Sequence, residues 1–197
     1  MRCFFHQGHE AVRRFHASRD EVCAECAATL RKLRWALGLF VLALVLSGLT
    51  AFPLQWELER IAALRGLEHI APAEALNGFD RWILTVRDGL RESYARHPWL
   101  AYGTDWLAFA HLVIAVFFIG AFRDPVRNLW VLQAGQVACA LVIPLALIAG
   151  AVRQIPLGWR LIDCSFGVFG AVPLIYALRL ARMLEHQIGD QPVAGEP

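Results

Sequence analysis

Residues 35–52 read WALGLFVLALVLSGLTAF, with no charged side chain between Trp35 and Phe52. At about 1.5 Å of rise per residue, such a run forms a helix roughly 27 Å long, close to the hydrocarbon thickness of a bilayer. The stretch is therefore expected to be a first membrane-spanning helix. The rest of the chain fits that expectation. Of its 197 residues 57% are hydrophobic and 18% charged, and the mean hydropathy is +0.46, more apolar than an ordinary soluble domain. Three further apolar blocks run from about Trp106 to Phe122, Leu129 to Val152 and Leu161 to Leu180. The expected fold class is all-α: a polytopic membrane protein of four transmembrane helices with a short N-terminal head.

The polar stretch of residues 1–34 ahead of the first block, and the lack of an A-x-A-type site after it, argue against a cleaved signal peptide. Orientation follows from the basic residues beside the blocks. Arg31, Lys32 and Arg34 precede the first, Arg123 and Arg127 lie between the second and third, and Arg179 and Arg182 end the fourth. Both termini are accordingly expected in the cytoplasm, with the chain in a bacterial inner membrane. The formal net charge of +2, without a long Lys/Arg run, excludes a nucleic-acid-binding surface. The expected organisation is a cytoplasmic zinc-binding head over residues 1–34, the first transmembrane helix over 35–52 and an amphipathic helical loop on the opposite side over 53–104. The three-helix remainder of the bundle follows over 105–182, with a disordered tail over 183–197.

Cys3-x2-His6 and Cys23-x2-Cys26 are paired-ligand spacings separated by residues 7–22. Two such pairs can share one tetrahedral zinc, since each tight turn aims two side chains at an ion about 2.0–2.3 Å away. Four ligands with no open position make a structural site. A head this short cannot bury a sufficient apolar core, so the metal would supply much of its folding free energy. His9 and His16 are alternative fourth ligands to His6. The competing accounts are unliganded cysteines, or a disulfide or redox pair, which a cytoplasmic head disfavours.

The order Cys3-x2-His6 then Cys23-x2-Cys26 resembles the first zinc site of a B-box-type finger, and some bacterial multi-span membrane proteins carry a similar short head. The likeness covers the first twenty-six residues or so. A full B-box holds a second zinc through an intermediate ligand pair and a trailing pair. Here His16 echoes the former, and the chain reaches its first apolar block before the latter. The resemblance implies protein–protein contact rather than catalysis.

The loop between the first two spans is too long for a passive connection. Leu76, Phe79, Trp82, Ile83, Val86, Leu90 and Tyr94 recur at three- and four-residue steps, with Asp80, Arg81, Arg87, Asp88, Arg91 and Glu92 between them. That pattern predicts an amphipathic helix ending before Pro98, with a shorter helix over Gln55 to Leu67 before the Ala71-Pro72 break. Such helices cover the span ends or lie in the headgroup layer; a partner-binding or substrate-covering lid is the other reading.

Ionisable groups at membrane depth are costly and commonly face the bundle interior or a water-filled cavity. Asp105 opens the second span, with His111 about 9 Å deeper. Arg160, Asp163, Cys164 and Gly167 share a face at the start of the fourth. Convergence of Asp105, His111, Arg160, Asp163 and Cys164 would make a metal or proton-handling site. The plainer expectation is an Arg160–Asp163 pair at the membrane boundary with His111 satisfied by a neighbouring helix. No second histidine lies within a span to complete a bis-histidine haem, although a single axial ligand stays open. Gln133 and Gln136 are expected to hydrogen-bond across helices and Pro144 to bend the third span.

The chain has no Walker loop, Gly-x-Ser-x-Gly elbow, His-Glu-x-x-His or dinucleotide fingerprint, nor an evident inverted repeat. Function is expected to rest on a structural zinc head, acting as an adaptor, assembly or regulatory component through a protein partner at the head or long loop. The alternative is a membrane-embedded enzyme or carrier built on the His/Asp/Cys cluster.

Overall fold

A computed structural model describes the backbone over residues 24–67 and 76–189, with side chains over 26–67 and 76–186. The described residues are all helical, without strands. Six α-helices follow in order: α1 Ala24–Ala51, α2 Leu54–Leu64, α3 Gly78–Arg96, α4 Ala101–Arg123, α5 Leu129–Val152 and α6 Leu157–Gly189, with a 3₁₀ turn, Pro98–Leu100, leading into α4. Four stretches are long and apolar enough to cross a membrane: Cys26–Ala51, Pro98–Arg123, Leu129–Val152 and Leu157–His186. The third matches the sequence boundaries; the others are longer.

Two helices run past the expected boundaries. α1 is described from Ala24, so residues 24–34 are continuous with the first spanning helix. The reason is local: Ala, Glu, Leu, Lys and Arg dominate between Ala24 and Trp35, and no glycine or proline interrupts them. At the other end α6 continues to Gly189 and buries Leu184, so the expected disordered tail does not begin at residue 183. Ala177, Ala181 and Leu184 form a buried stripe at helical spacing, which carries the helix past the end of the apolar block. Residues 190–197 lie outside those described.

The chain divides into two compact units. One comprises residues up to Leu42 together with those from Val116 onward; the other is Ala43–Ala115. Within the first, α5 and α6 form a closely packed antiparallel pair. A Cβ added to Gly167 would lie 2.5 Å from the Cys139 carbonyl oxygen, a distance no methyl group can take up. At Gly135 it would lie 2.7 Å from Phe118 Cζ and 2.9 Å from Leu174 Cδ1. Phe118 fills the space that Gly135 leaves and meets Phe40 of α1 at a tilted angle, ring centroids 4.8 Å apart. Gln136 Nε2 donates to the Leu174 carbonyl at 3.3 Å, the cross-helix bond expected of a glutamine in this span.

The turn between α5 and α6 is a Schellman motif. Ile155 N–H bonds to the Gly150 carbonyl and Gln154 N–H to that of Ala151, with Gln154 left-handed at φ 59° and Pro156 following. The turn between α4 and α5 is closed by Asn128, whose Nδ2 donates to the carbonyls of Asp124 at 2.8 Å and Gly120 at 3.3 Å. Arg34 of α1 caps the C-terminus of α4. Its Nε donates to the Phe122 carbonyl at 3.2 Å and its Nη2 to that of Arg123 at 3.4 Å, where a cation also opposes the helix dipole.

The second unit holds α2, α3, the 3₁₀ turn and the facing ends of α1 and α4. Gly48 of α1 lies against α4; an added Cβ would stand 3.0 Å from both the Ala108 carbonyl oxygen and His111 Cβ. α2 and α3 occupy the loop where the apolar periodicity placed helices. Asn77 caps α3, its side chain accepting from Asp80 N–H at 2.9 Å.

The glycine contacts make a direct prediction. Gly167→Leu should destabilise the α5–α6 pair by about 1–3 kcal/mol, the usual cost of overpacking. Gly103→Ala, in a position with nothing within 4 Å, should be neutral or stabilise by up to about 1 kcal/mol. Thermal unfolding of both variants in detergent checks the pair.

Candidate functional site

Cys3, His6 and Cys23, together with His9 and His16, lie outside the described residues. Cys26 is within them, in the first turn of α1, and only 5% exposed. It begins a buried stripe continued by Leu30, Leu33 and Leu37 at helical spacing. A sequence metal ligand therefore stands on the packed face of the first spanning helix rather than on a free loop.

The polar residues of the spans fall in both units. Asp105 and His111 belong to the second; Arg160, Asp163 and Cys164 to the first. His111 Nδ1 lies 2.8 Å from the Leu107 carbonyl. A carbonyl only accepts, so Nδ1 carries a proton and donates it to this contact. The bond is to the preceding turn of its own helix and not to a neighbouring one. Asp105 is half-buried in α4.

Arg160 does not pair with Asp163. Its side chain runs across Gly150 of α5, where an added Cβ would be 2.5 Å from Arg160 Cδ, and Nη1 donates to the Leu147 carbonyl at 3.3 Å. The absence of a side chain at Gly150 lets the arginine reach the end of α5, whose carbonyls attract a cation. Its Nε is buried with no partner among the described residues. Asp163 is left on the exposed side of α6, while Cys164 Sγ faces the Ile143 carbonyl at 3.9 Å. Among the described residues no three His, Cys, Asp or Glu side chains are grouped to hold a metal ion.

The densest polar chemistry lies instead between α2 and α3. Arg65 grips Asp80 with both arms, Nε to Oδ1 at 2.5 Å and Nη2 to Oδ2 at 3.1 Å, while Asn77 Nδ2 donates to Oδ2 at 2.8 Å. Asp80 is 6% exposed. The Arg65 hydrogen bonds outweigh the effect of burial and hold this carboxyl below its ordinary value. A second pair joins Arg91 Nη2 to Glu59 Oε1 at 3.0 Å, with Gln55 donating to the same oxygen at 3.1 Å. The Gln55 and Arg91 bonds likewise lower the Glu59 carboxyl. Beside Glu59 opens a cleft of about 330 Å³ with Phe52, Trp56, Tyr94 and Thr104 in its wall.

Neither ion pair was foreseen from the sequence. Glu59 and Arg91 are 32 positions apart and Arg65 and Asp80 are 15 apart, so no local spacing links either pair. The available signal was weak: Gly66, at φ 65°, ends α2 where Arg65 can turn back toward the capped start of α3.

Comparison with known protein families, curated proteins and solved structures finds no match to this chain. Its class is carried by the helices themselves: an all-helical, multi-pass membrane protein with four helices long and apolar enough to span.

The α2–α3 latch sets a pH dependence. Both carboxyls are lowered in the folded chain, so their contribution is complete above the ordinary carboxylate value near about pH 4 and is lost as pH falls through the folded values. Protection factors of the α2 amides, with the intrinsic pH dependence of exchange divided out, should therefore fall on acidification below that range. Asp80→Asn should exchange faster already at neutral pH and lose most of the acid step.

Proposed function

We propose that this chain is an inner-membrane protein, with both termini cytoplasmic, whose N-terminal head binds one structural zinc through Cys3, His6, Cys23 and Cys26 and serves as a protein-interaction module. It works as an adaptor, assembly or regulatory component rather than as a catalyst. The observation that carries this reading is the position of Cys26. A ligand on the buried stripe of α1 ties the state of the head to the packing of the first spanning helix. A partner engaging the head would then act on the membrane part through α1.

The orientation draws support from the basic residues at one end of the first unit. Arg34 reaches the last carbonyls of α4 next to Arg123, and Arg179 and Arg182 are exposed toward the end of α6. Positive charge gathered at one end of several spans is the pattern of a cytoplasmic face.

Elemental analysis of the detergent-purified full-length protein should find about one zinc per chain. Cys23→Ser should lower that content sharply while the spanning helices keep their circular dichroism; unchanged stoichiometry would overturn the zinc head. For the alternative, a chemical site among the spans, His111 is the decisive residue. On the interaction reading His111→Ala retains zinc, folding and cellular function, whereas selective loss of function in a folded variant would move the chemistry into the membrane.

A further inference from the structure

The outward face of α2 carries a stripe left exposed among the described residues. Trp56 is 56% exposed and Leu64 87%, and Arg60 and Ala63 are exposed between them. These positions fall at helical spacing on one side. The side turned from it holds Ala62, fully buried, while Glu59, three positions after Trp56, flanks the stripe and pairs with α3 through Arg91. α2 thus turns a buried alanine toward the protein, ties its flank to α3 by an ion pair and leaves Trp56 and Leu64 outward. In water, an exposed apolar stripe of this kind needs a partner.

The covalent chain fixes what can reach it. Only Phe52 and Pro53 separate the end of α1 from the start of α2, so α2 cannot leave the level at which the first span ends. Within the same unit Gly48 is packed against Ala108 of α4, which puts the end of α1 near the beginning of α4. That part of α4 and the turn before it carry Trp99, Tyr102 and Trp106, all exposed, with Tyr102 and Trp106 edge to face at 5.9 Å. Exposed Trp and Tyr at the end of a span mark the membrane–water interface. Trp56 belongs to the same level. Arg60 holds its guanidinium 5.3 Å above the Trp56 ring, on the face where lipid phosphates would lie.

We propose that α2 is an interfacial anchor lying in the headgroup layer, with Trp56 and Leu64 in lipid, Arg60 directed at lipid phosphate, and α3 stacked on its far side away from the bilayer. The occupant is the phospholipid surface and not a second protein. An interfacial helix gains from buried apolar area and from attraction between its cations and anionic lipids. The Glu59–Arg91 and Arg65–Asp80 pairs then hold the more polar α3 as an outer layer over it.

The test uses the full chain in phosphatidylcholine–phosphatidylglycerol vesicles whose acyl chains are brominated close to the headgroups. Trp56→Phe removes one of seven tryptophans with little change of shape. The emission lost in that variant should be blue-shifted, quenched by the bromolipid and shielded from aqueous iodide. Emission quenched by iodide and not by bromolipid would place the stripe in water and overturn the proposal; emission reached by neither quencher would mean a protein cover and do the same. Leu64→Trp in the Trp56→Phe background samples the other end of the helix. Bromolipid quenching there supports a helix lying in the membrane plane, and iodide quenching there would overturn it.

Discussion

The close approach of α5 and α6 at Gly167 is the contact on which the first unit depends. Between helices surrounded by lipid there is little hydrophobic driving force, because acyl chains are as apolar as leucine. Association then rests on van der Waals fit, and fit requires that backbones come near. Gly167 lets α6 lie against the Cys139 carbonyl, and Gly135 and Gly170 leave room for Phe118 and for Phe40 and Cys139. From that contact follow the register of the pair, the reach of Arg160 across Gly150 and the position of Cys164 beside Ile143. Small residues at one level and aromatic rings at the next make a core without a large apolar side chain at every position.

The second unit is held by a different force. α2 and α3 pack partly through charged pairs, one of them around a carboxylate that is almost inaccessible to solvent. Burying a carboxylate is tolerable because Arg65 meets it with two hydrogen bonds and Asn77 with a third. Arg65 itself stays half exposed, so the pair is screened on one side and acts more as a positional latch than as a large source of stability. The latch determines which side of α2 is turned toward α3 and which side is left apolar and open.

The residues with candidate chemistry are distributed in a way that bears on the proposed function. His111 is engaged with its own helix, Arg160 with the end of α5 and Cys164 with a carbonyl. Each of these side chains has a local task that accounts for its polarity. Cys26 lies on the buried stripe of α1, and Cys23 stands three positions before it in the sequence.

The amino-acid sequence by itself determined the helical class, the four apolar blocks and the amphipathic helix of the loop, because each depends on local composition and periodicity. Leu129 to Val152 was legible to the residue, since Asn128 and Arg153 bound a long apolar run that contains no charged residue. Local pattern was a poorer guide to where helices end: α1 and α6 extend beyond their apolar blocks, since helix formation needs only favourable residues and a packed stripe, not lipid. Only the tertiary structure decided the pairings. Arg160 turned from Asp163 to Leu147, Arg34 became the cap of α4, and Glu59 and Asp80 found arginines far along the chain. Such partners are chosen by which glycine leaves an opening and which helix end presents a carbonyl, and those are properties of packed surfaces that no single stretch of sequence contains.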